Sequence, residues 1–163
     1  MEENYRLPPN LLFKSFLIVG GGYLFTMLSW IVTYAVLISM FFPKCVEFLS
    51  NLPPNSSNED LFAEPDILMP MSLVLMVLTV HSITCMIVGF FISRISPFAK
   101  LNHVIFVAVA VFISFLQITL GSPHEFLWKF IAMMGVFPIA ILLGAKISGA
   151  TAQSPVEENL DEE

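Results

Sequence analysis

Apolar residues run along this chain in four long blocks, and the polar residues between them fall into short clusters. The blocks are Ser15 to Phe42, Ile67 to Ser93, Leu101 to Leu120 and Phe126 to Ile147. Each offers the roughly 20 mostly apolar residues that an α-helix needs to cross a hydrocarbon core. The bilayer has no water to satisfy backbone groups, so a chain of this pattern crosses it as helices. The pattern therefore predicts an all-α integral membrane protein, an antiparallel four-helix bundle of four transmembrane helices over residues 15–150. A short segment, residues 1–14, precedes it, and an acidic tail over residues 151–163 reads as disordered. The first block is much longer than the apolar stretch of a secretory leader and has no small-residue cleavage site after it, so it is expected to be a retained span.

Punctuation residues place the span ends. Asn10 and Asp66 are N-cap candidates, and Ser122-Pro123-His124-Glu125 has the spacing of a capping box with proline at the first helical position. Short connections predict that spans two and three, and spans three and four, are neighbours. The outer loop, residues 43–66, is rich in Pro, Asn, Ser and acids and reads as a lid or flexible connection without a core of its own. Leu7-Pro8-Pro9-Asn10 recurs as Leu52-Pro53-Pro54-Asn55, but the following spans do not align, so a duplicated unit is not inferred. Asn55-Ser56-Ser57 is a glycosylation sequon, a triplet that also arises often by chance.

Composition agrees with the pattern. Hydrophobic residues make up 56% of the chain and charged residues 12%, and mean hydropathy is +0.82. The net charge of -6 comes largely from the tail and the outer loop, and no basic patch is present, so nucleic acid is not an expected partner. The expected surroundings are the lipid bilayer and either other membrane proteins or further copies of the chain. Arg6, Lys14, Arg94, Lys100 and Lys146 fall at one set of span ends, and Lys44 and Lys129 at the other. The positive-inside rule then places both termini in the cytoplasm, in a plasma membrane or a bacterial inner membrane. Lys129 is expected to snorkel outward and pair with Glu125, while Phe126 and Trp128 suit the outer interface.

Small and hydroxyl residues mark the faces where helix backbones approach in lipid. On this basis Gly22, Thr26, Gly89, Ala140 and Gly144 are expected at helix contacts. A buried polar site is expected from His81, Cys85, Gln117, Ser29, Ser114 and Pro138. His81 lies near the middle of span two, with Cys85 one turn on along the same half of the helix. Pro138 frees the carbonyl of Met134, which a neutral His81 could meet, with Ser29 and Ser114 as other acceptors. An ionisable residue inside a membrane is a functional candidate. Histidine is mostly neutral at pH 7, however, and a hydrogen-bonded structural role competes with a ligand, proton or substrate role.

The chemistry on offer is sparse. Metal sites ordinarily draw on three or four ligands, and His103 and His124 fall near opposite interfaces, far from His81 and Cys85, so no metal or cofactor is expected. Cys45 and Cys85 lie at different depths and form no CxxC pair. The chain has no HExxH, GxSxG or phosphate-loop motif, and no carboxylate occurs within a span, which argues against a proton-coupled pump. An enzyme is therefore not favoured. The leading expectation is a non-enzymatic accessory, assembly or scaffold component. The alternative is an oligomeric transporter or channel for a small solute with His81 and Gln117 lining the path, and a third is a metal-, haem- or quinone-associated redox component.

Overall fold

The computed structural model describes residues 9–56, 64–96 and 100–150. Arg6, Glu59 and Asp60 of the outer acidic cluster, Ser57 of the sequon and the C-terminal tail lie outside these residues. Six α-helices occur among the described residues: α1 (Pro9–Phe41), α2 (Pro43–Asn51), α3 (Pro65–Leu68), α4 (Met71–Ile95), α5 (Lys100–Leu120) and α6 (Leu127–Ile147), the last led in by a 3-10 turn at His124–Phe126. α1, α4, α5 and α6 are the four long apolar helices of a transmembrane bundle and are called spans one to four below.

Prolines set most of the boundaries. Phe42 leaves helical geometry before Pro43, which opens α2 at its first turn. Pro70 does the same to span two: Met69 is pushed out of the helical region, so the segment expected to begin at Ile67 divides into α3 and a span starting at Met71. Asp66 thus lies inside the first turn of α3, and Asn10 inside α1, rather than at caps of their spans. The capping box before span four does not form. Pro123 occupies the cap position without a side-chain bond, and the Ser122 hydroxyl turns back to the carbonyl of Ile118 at 2.6 Å. Proline also delays the α-helix, which follows only after the 3-10 turn. At the far end, Gly149 with φ +78° adopts the left-handed conformation that glycine accepts without strain. Its amide bonds to Lys146 O and that of Ala150 to Ala145 O, both at 3.1 Å, closing the helix in a Schellman motif.

Span one is the longest, 33 residues. At a rise of about 1.5 Å per residue it is roughly 50 Å long, against a hydrocarbon core of about 30 Å. It is also the most peripheral, burying only Thr26, Leu37 and Ile38. Span four packs most extensively against span two and next against span three, while span one lies across spans two and three. Spans two and three touch each other least among these pairs. Spans three and four are neighbours as expected; spans two and three are in contact but lightly, and spans two and four form the most extensive pair. The reason is the small-residue faces that these two share.

Gly89 lies against the backbone of Ile141, where a Cβ would come within 2.8 Å of the Ile141 carbonyl carbon. Gly144 lies in the same way against Met86, at 2.7 Å from its carbonyl carbon. Each glycine thus admits the other helix's backbone where any side chain would collide. Contacts along this pair run in step, from His81 with Phe137, through the two glycines, to the Ser93 and Ser148 hydroxyls. The two helices are therefore parallel. Gly22 meets the side chains of Ile92 and Val107, and Thr26 is fully buried beside it, so span one uses its small residues to approach spans two and three. Ala140 is buried on span four.

Candidate functional site

Each span contributes one ring to a row at mid-depth. Trp30 of span one meets Phe115 of span three edge to face at 5.2 Å between centroids. Phe115 meets Phe137 of span four at 5.3 Å, and Phe137 meets His81 of span two at 4.6 Å with planes 83° apart. Edge-to-face contact places the positive edge of one ring against the negative face of the next. His81, Phe115 and Phe137 are all fully buried. The row was not visible as a motif in the sequence, because its members come from four segments and share no spacing.

The ends of the row carry polar atoms without partners. Neither ring nitrogen of His81 has a hydrogen-bonding partner in the protein, and neither does Nε1 of Trp30, although all three atoms are buried. None of the expected acceptors bonds to His81. The Ser29 hydroxyl bonds to Thr26 O of its own helix at 2.8 Å. Ser114 donates to Ala110 O at 3.0 Å and so receives its other bond, 2.8 Å, from the Tyr23 hydroxyl. Met134 packs at the edge of the core, and His81 meets the Phe137 ring of that helix instead of its carbonyl. Pro138 is half-buried and the helix runs through it. Cys85 is a free, fully buried thiol one turn from His81.

Gln117 does not join this group. Its side chain is on the exposed face of span three, one turn before the outer end. His103 is buried at the opposite end of the same span. Among the described residues, no group of three or more His, Cys, Asp or Glu side chains is placed to hold a metal ion.

A second polar cluster, not anticipated from the sequence, surrounds the break at Pro70. With the helical ladder interrupted there, the carbonyls of Leu68 and Met69 turn to side chains from three other elements. The Tyr34 hydroxyl of span one donates to Leu68 O at 3.0 Å, and the Cys45 thiol of α2 donates to the same oxygen at 3.6 Å. Lys129 of span four donates to Met69 O at 2.6 Å. Lys129 is buried rather than snorkelling outward, with Nζ 5.1 Å from the centre of the Phe126 ring and 5.9 Å from that of Trp128. These are cation–π distances. Phe126 is itself fully buried, and Trp128 alone of the two faces outward. Burial pushes the Cys45 thiol above its ordinary pKa. The outer loop is thus partly ordered: α2 carries Cys45 into the bundle's outer end. The dipeptide Met69-Pro70 is the signal that could have revealed this junction.

Comparison with protein-family models, curated proteins and solved structures finds no match to the chain.

Proposed function

We propose that this membrane-embedded bundle is a non-enzymatic accessory, assembly or scaffold component that works by associating with other membrane proteins or with copies of itself. The observation that carries this reading is how the interior is filled. Rings from all four spans meet at mid-depth, and inner hydroxyls are spent within the bundle, as in Thr26 to Gly22 O at 2.8 Å and Tyr23 to Ser114. Side chains placed in this way hold helices together and give a single chain little with which to pass a polar solute. Gln117 is exposed on the single bundle and does not line its interior.

Both termini are assigned to the cytoplasm of a plasma membrane or bacterial inner membrane. Lys14, Arg94, Lys100 and Lys146 at one end of the bundle support this under the positive-inside rule. Purification in mild detergent with measured stoichiometry tests the functional reading. The expected result is a defined homo-oligomer or a stoichiometric membrane partner. Solute flux in liposomes that is lost in a folded His81→Ala variant would instead establish transport.

A further inference from the structure

We propose that His81 and Cys85 form a two-coordinate site for a soft monovalent d10 cation, of which Cu(I) is the biological representative. The two side chains lie one turn apart on one helix face, where Cβ atoms are roughly 5–6 Å apart. An ion joined to one nitrogen and one sulfur by bonds of about 2 Å each needs donor atoms about 4 Å apart, a separation that side chains one helical turn apart can adopt. Both residues are fully buried, and both nitrogens of His81 are without partners in the protein. A buried imidazole of this kind retains its whole capacity to ligate.

A tetrahedral ion needs more ligands than are gathered here, whereas a linear d10 ion needs only these two. Thiolate is the soft donor that selects Cu(I). Charge favours the same ion. On binding, the Cys85 S–H bond breaks, a metal–sulfur bond forms, the proton leaves to solvent, and the metal stays in the +1 state. The neutral imidazole completes the pair, so thiolate and monocation cancel and the bilayer interior gains no net charge. A divalent ion on the same two ligands would leave one positive charge buried, at a large desolvation cost. The site is independent of the assembly role and stands or falls without it.

The test is anaerobic titration of the full chain in detergent with Cu(I) against a chromogenic Cu(I) chelator, followed by X-ray absorption of the loaded protein. The expected result is one Cu(I) retained per chain, with one sulfur and one nitrogen neighbour in linear geometry and no comparable retention of Zn(II). Cys45→Ser should leave retention unchanged, Cys85→Ser should abolish it, and His81→Leu should weaken it at least tenfold. Absence of retention by the native protein overturns the proposal, as does a three- or four-coordinate spectrum, Zn(II) held equally well, or loss in Cys45→Ser but not in Cys85→Ser. The native-protein measurements decide the matter even where a variant does not fold.

Discussion

The outer entrance of span two and its midpoint are both polar places in an apolar helix, and they are built in opposite ways. At the entrance, Pro70 frees two carbonyls, and Tyr34, Cys45 and Lys129 arrive from three other elements to satisfy them. At the midpoint, His81 is equally buried but faces a phenylalanine ring and has no partner for either nitrogen. A satisfied buried cluster fastens its elements together, and removing one member strands another. An unsatisfied group adds little to the fold and carries a desolvation cost. Burial alone therefore does not separate these two kinds of polar residue; the state of their hydrogen bonds does.

The largest effect is expected at the crossing that presses span four onto span two. Gly89→Leu would drive a side chain into the backbone of Ile141, and overpacking against a backbone that cannot yield should cost at least about 3 kcal/mol. Unfolding in mixed micelles should show this, and because the crossing supports both polar places, neither should survive. Lys129→Met comes next. It keeps much of the side-chain volume but strands the Met69 carbonyl, for an expected loss of about 1–3 kcal/mol; an unchanged unfolding curve would mean that this bond contributes nothing. The smallest effect concerns pH. Burial raises the Cys45 pKa, so the folded chain keeps a proton that the unfolded chain releases. The contribution of this thiol to stability is fully present below the ordinary thiol range and is lost as pH rises above it. A maleimide should accordingly label Cys45 slowly at pH 8 in detergent and rapidly after unfolding, and equal rates would show the thiol to be open.

The four spans were legible because a bilayer imposes one requirement, a long apolar helix, and residue type alone reports it. Packing faces were legible in part. Gly89 and Gly144 stood out as small residues, but that they face each other depends on which spans adjoin, and loop length suggested spans two and three instead. Gln117 lies off the packed face of span three, which is centred on Val104, Val107, Val111 and Phe115, and its polarity alone did not fix which face is packed. His81 is buried, yet neither ring nitrogen meets Met134, Ser29 or Ser114, because the ring packs against Phe137. The junction at Pro70 was missed although its proline was in view: the apolar run continues through it, and hydropathy outweighed the stop signal.

The difference between the two polar places is tested most directly by comparing unfolding free energies of Tyr34→Phe and His81→Leu under one set of conditions, without added metal. Tyr34→Phe removes only the hydroxyl that caps Leu68 O and should cost about 1–3 kcal/mol. His81→Leu strands no partner and should leave stability within about 1 kcal/mol of the native value or raise it. A His81→Leu loss larger than that of Tyr34→Phe would contradict the account, because it would make the midpoint of span two a structural fastening and its entrance the dispensable one.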